Sequence, residues 1–166
     1  FIKHKFKQLN LLKYQEFIHF GLTSQDINNT ASPLLLMDAL NLCLYPELNQ
    51  LIKKLYQLSI KWKNISMLAR THGQPASPTK LGKEIKVFKV RLEEQLNQLK
   101  KIPHSGKFGG ATGNMNAHYA SYPKINWHKF AKDFLKKLGL QRSYPTTQIE
   151  HYDNLASQLD SIKRIN

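Results

Sequence analysis

The run SPTKLGKEIKVFKVRLEEQLNQLKKIP, residues 77–103, decides the fold. Leu81, Ile85, Phe88, Leu92, Leu96, Leu99 and Ile102 follow one another at steps of four, three, four, four, three and three. That period is helical, and it gathers the apolar side chains into one stripe with lysines and glutamates elsewhere. Ser77 before Pro78 predicts an N-cap followed by proline at the first helical position. Pro103 predicts the end. A helix of about 25 residues would run roughly 37 Å, a length that suits a long bundle. The stripe is read as core, not as a cofactor site.

Immediately upstream lies a polar, turn-rich island, residues 69–83, that contains Thr71-His72-Gly73-Gln74-Pro75-Ala76. It offers a hydroxyl, an imidazole and an amide around a glycine, stiffened by two prolines. A histidine held just before a helix start suits proton transfer near neutral pH, because free imidazole titrates near 6.5. Residues 65–69 read as a short extended piece leading in.

Further upstream, Leu48, Leu51, Ile52, Leu55, Leu58 and Trp62 predict an amphipathic helix opened by Pro46, with Lys53, Lys54, Lys61 and Lys63 on its solvated face. Residues 27–45 are apolar on nearly every side, which predicts a helix buried all round. One chain of this size cannot supply that cover, so burial between subunits or beneath other parts is expected. Thr23 or Ser24 can cap this helix, with Asp26 in its first turn. That pattern is either a well-made helix start or a set of N–H and hydroxyl donors for an anionic carboxylate or phosphate. Residues 3–18 read as one helix, broken at His19-Phe20-Gly21-Leu22.

Downstream of Pro103, residues 106–118 hold half of the chain's 8 glycines. The run has neither the Walker order nor a dinucleotide fingerprint, and a turn-rich connection is its plainest reading. Asn126 opens a further helix with Phe130, Ala131, Phe134, Leu135 and Leu138 on one side and Gly139 as its stop. Residues 144–153 are a loop, and Leu155, Leu159 and Ile162 begin a last helix.

The 166 residues suffice for a domain with a core, and 41% hydrophobic composition excludes disorder. No apolar run reaches the roughly 18 residues a spanning helix needs, so no membrane partner is expected. The single cysteine, Cys43, is read as a small buried core residue, which fits a reducing, cytoplasmic location. No ligand spacing predicts a metal site. The net charge of +14 is spread along helical segments rather than gathered into one arm, so specific nucleic-acid binding is not expected.

Four segments carry a resemblance. They are His19-Phe20-Gly21-Leu22-Thr23-Ser24-Gln25-Asp26-Ile27-Asn28-Asn29, the Arg70 to Glu84 island, the glycine run through Gly113-Asn114-Met115-Asn116-Ala117-His118, and Thr146-Thr147-Gln148-Ile149-Glu150. In that order they resemble the adenylosuccinate lyase family of the fumarase/aspartase superfamily. The resemblance implies an all-α fold of long antiparallel helices in a bundle, with short irregular or extended connections, assembled as a homotetramer whose active sites are shared between subunits. It implies cleavage of adenylosuccinate to AMP and fumarate, and of SAICAR to AICAR and fumarate, by β-elimination in purine biosynthesis without a cofactor. His72 is implied as the acid that protonates the departing nitrogen. Thr23, Ser24 and Thr71 are implied as donors to anionic oxygens, and Gln148 as an amide contact to substrate.

The family's serine base sits on a later mobile loop, and no Ser-Ser-x-Met-Pro-x-Lys-x-Asn stretch is present here. The family's upstream histidine motif and later arginines are also missing. Residues 1–166 are therefore expected to be the central bundle part of a longer lyase, inactive alone, with the N-terminal part and the catalytic-loop region elsewhere. Two other readings stand beside this one. One is another superfamily lyase such as argininosuccinate lyase. The other is a non-catalytic basic helical binding module.

Overall fold

The computed structural model describes residues 1–166. In chain order the elements are α1 (Ile2–Gln8), α2 (Ser24–Ala39), α3 (Tyr45–Lys61), β1 (Ser66–Thr71), β2 (Gln74–Lys80), α4 (Leu81–Lys101), β3 (Ser105–Gly106), α5 (Asn116–Ser121), α6 (Trp127–Lys137), β4 (Gln141–Arg142) and α7 (Asp153–Ile165). A 3-10 stretch, Leu12–His19, precedes α2, and a π-helical turn, Leu40–Leu44, joins α2 to α3. The fold is all-α, with small sheets in the connections. The chain divides into two units. The first comprises Phe1–Leu35 and His104–Asn154, the second Leu36–Pro103 and Leu155–Asn166.

The second unit is built on α3 and α4. Leu48 and Ile52 from the first half of α3 pack with Leu96 from the last turns of α4, joined by half-buried Leu92, Leu44, Tyr45 and Ile165. At the other end Gly82 lies so close to α3 that a Cβ there would sit 2.3 Å from the Ser59 carbonyl oxygen. Early residues of one helix thus face late residues of the other, so the pair is antiparallel. The predicted stripe is the face used: Leu96 and Leu99 are buried, while Phe88 stays exposed.

Between the two helices, β1 and β2 form an antiparallel hairpin, with Ser66 opposite Lys80 and Thr71 opposite Gln74. Here the structure corrects the sequence reading. Ser77 and Pro78 do not start the helix; they lie in β2, and α4 begins at Leu81 after Lys80 in an extended conformation (φ −116°, ψ 129°). The reason is the turn. His72 and Gly73 take φ of 52° and 76°, the doubly left-handed pattern of a two-residue hairpin loop whose twist matches its strands. Once that turn forms, ladder pairing holds residues 74–80 extended, and Pro75 and Pro78 are tolerated because this two-stranded ribbon has only edge strands. Thr79 Oγ1 donates to Glu84 Oε1 at 2.8 Å across the helix start. That bond and the Lys83 ammonium hold the Glu84 carboxyl below its usual range, the lysine contact being the larger cause.

In the first unit Phe108, Met115, Trp127, Ala131, Leu135 and Leu140 form the core, with Phe20, Leu22, Leu34, Tyr119 and Leu138 around them. Asn126 caps α6 as expected, its Oδ1 accepting from the Lys129 N–H at 2.9 Å. Parallel pairing of Ser105 with Gln141 and Gly106 with Arg142 ties the end of α6 to the start of the glycine run.

Other expectations need correction. Residues 3–18 are not one helix: Asn10 at φ 57° ends α1, and the chain resumes as the 3-10 stretch. Asparagine tolerates that left-handed geometry because its side chain bonds locally. Cys43 is exposed, since the π-helical turn carries Leu40 inward instead. The apolar run at residues 27–45, by contrast, is as expected for a single chain of this size: Leu35 and Leu42 remain 70% and 75% exposed. On α7 the buried residues are Gln158 and Ser161, not the leucine stripe, and Leu159 is exposed.

Candidate functional site

The start of α2 is organised by a carboxylate. Thr23 donates its backbone N–H to Asp26 Oδ2 at 2.9 Å, closing the first turn. Asp26 is fully buried and faces Lys107, also fully buried, with Nζ 2.9 Å from Oδ1. The backbone N–H groups of Gly109 and Gly110 donate to the same carboxylate, at 2.9 Å and 3.1–3.2 Å. Lys107 Nζ also donates to the Gly110 carbonyl at 2.5 Å. A buried charge pair is tolerable only when such further hydrogen bonds complete it, and here they do. The predicted donors stand at this helix start: Thr23 is half-buried and Ser24 exposed.

One turn further along α2, Asn29 is buried and faces the second loop. Its Oδ1 accepts from the Glu150 N–H at 2.9 Å, and its Nδ2 donates to the Tyr152 hydroxyl at 2.5 Å. The Glu150 carboxylate in turn accepts from the Ser143 hydroxyl and the Tyr152 N–H. The glycine run touches this loop directly: a Cβ on Gly113 would lie 2.0 Å from the Thr146 carbonyl oxygen. Two faces of one helical edge, Asp26 and Asn29, therefore hold both loops. Gln148 lies exposed in the second of them. Pro145, Thr146, Thr147, Ile149, Glu150 and His151 line a cavity of about 400 Å³ beside it. Its hydroxyls and imidazole can hydrogen-bond anionic oxygens.

Of the predicted residues, Thr23, Ser24 and Gln148 thus belong to the first unit and are linked through α2. Thr71 and His72 belong to the second. Both are exposed at the hairpin tip, with Thr71 in the closing pair of the turn and His72 at its first loop position. Arg70 Nη1 donates to the Gly73 carbonyl at 3.3 Å across the same turn. His72 is therefore presented by a two-residue loop and not at a helix start. No group of three or more His, Cys, Asp or Glu side chains is placed to hold a metal ion.

The sequence reading missed three groups. Asp26 was legible as a helix-start acid, and Lys107 as part of the glycine run, but nothing in either segment announces that they meet. The third is His118. It is 1% exposed and packs against Phe20, Phe108 and Trp127, with ring centroids 5.5, 5.5 and 4.9 Å away. Neither ring nitrogen has a hydrogen-bond partner. Together with Phe17, Leu22, Phe130 and Phe134 these rings line an apolar cavity of about 370 Å³. Burial pushes the His118 imidazole below its ordinary value, only partly opposed by the Asp26 carboxylate. Burial lowers His104 in the same way.

This shift has a signed consequence. With a folded pKa below the unfolded one, the unfolded chain binds the extra proton between the two values. Stability is therefore full above about pH 6.5 and falls as pH drops below it. We expect the unfolding free energy measured in urea to fall between pH 7.5 and 5, by at most about 1.4 kcal/mol per pH unit for one proton. His118→Leu should flatten part of that slope. An unchanged slope in the variant would assign the pH dependence elsewhere.

Comparison with known proteins follows the same lines. A family model described as Lyase matches residues 1–166. Adenylosuccinate lyase from Dictyostelium discoideum is 59% identical over 155 residues, 91% of this chain and 33% of that protein. The adenylosuccinate lyases of Haemophilus influenzae (strain Rd) and Escherichia coli (strain K12) are 44% and 42% identical, each over 100% of this chain and 37% of its own length. Among solved structures, a fumarate lyase from Mesorhizobium sp. BNC1 superposes with a TM-score of 0.76 at 23% identity, covering 93% of this chain and 35% of that one. A 3-carboxy-cis,cis-muconate lactonizing enzyme from Pseudomonas putida gives 0.75 at 25% identity, covering 96% and 35%. The chain spans about a third of the length of the curated relatives it matches. A helical bundle of this topology, matched by the family model from its first residue to its last, places the chain in the lyase family.

Proposed function

We propose that residues 1–166 are the central bundle part of an enzyme that splits adenylosuccinate to AMP and fumarate, and SAICAR to AICAR and fumarate. The observation that carries this reading is 59% identity, over 91% of the chain, to a protein named for that activity. The local structure supports it, because three of the four segments that resemble the family's site, the start of α2, the glycine run and the loop at residues 144–153, are tied together by Asp26 and Asn29.

The reaction is a β-elimination without a cofactor. A base takes the proton from the carbon next to a carboxylate, and the electron pair left behind forms the fumarate double bond as the C–N bond breaks. The departing nitrogen keeps the bonding pair and takes a proton from His72. That step is general acid catalysis. The base comes from a part of the polypeptide outside these residues. Thr23, Ser24 and Thr71 donate to the anionic oxygens, where fixed donors stabilise developing charge, and Gln148 contacts the substrate through its amide. The working form is a homotetramer in the cytoplasm, with sites shared between subunits. The exposed leucines Leu35 and Leu42 are faces that assembly would cover. No helix is long and apolar enough to cross a membrane.

The test is fumarate release by the full parent polypeptide from adenylosuccinate, SAICAR and argininosuccinate in parallel. Turnover of the first two and none of the third is expected. Turnover of argininosuccinate alone would move the assignment within the superfamily, and no turnover with the assembly intact would favour a binding module.

A further inference from the structure

We propose that the buried Asp26–Lys107 pair is a positioning device that sets substrate affinity by fixing the glycine run against the start of α2. This rests on the proposed lyase reading for the identity of the substrate, and on geometry alone for the device.

Asp26 is not available for chemistry. Its two oxygens accept from Thr23 N–H, Gly109 N–H, Gly110 N–H and Lys107 Nζ, all between 2.9 and 3.2 Å. Lys107 completes its own set on the Gly110 carbonyl. Neither residue touches solvent, so neither reaches a ligand. What they hold is informative. One partner is the residue before Ser24. The others are the backbone of residues 107–110, after which Ala111, Thr112 and Asn114 stand exposed. The run then returns inward at Gly113 against Thr146, two residues before Gln148. Thr30 adds to the same edge, its hydroxyl donating to the Asp26 carbonyl at 2.7 Å.

The chemistry also explains why a charge pair stands here rather than two leucines. An apolar pair would fill the space, but it would leave the Thr23, Gly109 and Gly110 N–H groups without acceptors. A carboxylate can accept from all of them at once. The lysine neutralises that carboxylate and donates to the Gly110 carbonyl of the same loop. The cost of burying such a pair is offset only when further hydrogen bonds complete it, and a well-packed apolar pair is often as stable, so stability alone does not account for the charges here. The pair determines where a loop's backbone lies.

The test uses the full parent polypeptide in four forms: native, Asp26→Asn, Lys107→Met and the double variant. Each single variant leaves one buried charge unpaired and should melt earlier or fail to fold. The double variant removes both charges and should fold, because an isolated buried charge is what destabilises. Its asparagine can still accept from the glycine N–H groups, but its NH₂ meets the Thr23 N–H donor to donor. The expected result is a KM for adenylosuccinate raised at least tenfold, with kcat changed less. A merely structural loss would lower kcat in proportion to folded enzyme and leave KM alone. Amide hydrogen exchange supplies the arm that needs no activity: residues 109–113 should exchange at least tenfold faster in the double variant while residues 85–99 keep their protection. A folded double variant with native KM and native exchange overturns the proposal. A native parent inert towards adenylosuccinate overturns the substrate assignment instead, and exchange at residues 109–113 then decides the positioning device by itself.

Discussion

Replacing His72 by asparagine in the full parent polypeptide lowers fumarate release from adenylosuccinate by about 10²–10⁴-fold, the range general acid–base catalysis supplies. Asparagine is the replacement of choice because of the turn. His72 sits at φ 52° beside Gly73 at φ 76°, and asparagine is among the few residues that adopt this conformation readily. The hairpin therefore survives, and the change removes the proton donor alone. Within residues 1–166 His72 is exposed, so no packed neighbour of this chain loses contact. The readout is kcat in steady state, with circular dichroism and the oligomeric state measured on the same sample. A rate within threefold of native would move His72 to a turn-forming role and send the search for the acid elsewhere.

Gly113→Ala should be the most damaging single methyl in the first unit. Gly113 has φ 83°, where an alanine costs about 1–2 kcal/mol. The added carbon would also lie 2.0 Å from the Thr146 carbonyl oxygen and 2.8 Å from that of Thr147. Both are backbone atoms, so no side chain can swing aside, and overpacking of this kind adds about 1–3 kcal/mol. The sum is a loss of about 2–5 kcal/mol in urea unfolding. Because the clash falls between the two loops that α2 holds, KM should rise even in the folded fraction. A loss below 0.5 kcal/mol would show that the second loop yields without resistance, contrary to its anchoring through Glu150 and Asn29 (a threshold of about the usual scatter for neutral surface changes).

Long helices were legible from residue spacing alone. The α3 and α4 seams are read straight from leucines at steps of three and four, because packing of an amphipathic face is what stabilises such helices. The hairpin was half legible. Its first strand shows as an extended lead-in, but Ser77-Pro78 is a good local helix start, and only the pairing of residues 66–71 with 74–80 overrides it. The usual turn signal is Asn-Gly, and His-Gly does not announce itself. Burial was the least legible quantity. Asp26 reads as a dipole-complementing acid and Lys107 as one residue of a turn-rich glycine run until the fold brings them together. Gln158 and Ser161 face inward on α7 while Leu159 does not, which no periodicity count would choose. Of the candidate site, Thr23, Ser24 and Gln148 were proposed from the sequence because contiguous motifs carry them. The residues that hold those motifs in place were missed because they act across long separations.

Those separations have a consequence for how the chain is made. Asp26 and Gly109 stand 83 residues apart. At a synthesis rate of about 5–20 residues per second, roughly 4–17 s pass between the emergence of the acid and that of its acceptor-hungry loop. During that interval α3, the hairpin and α4 are complete and have only near neighbours to find, so they can fold as the nascent chain lengthens. The start of α2 must wait, its carboxylate still hydrated. The second unit's helical hairpin is therefore expected to precede the first unit during translation. The glycine run then closes late, as the step that dehydrates a charge pair.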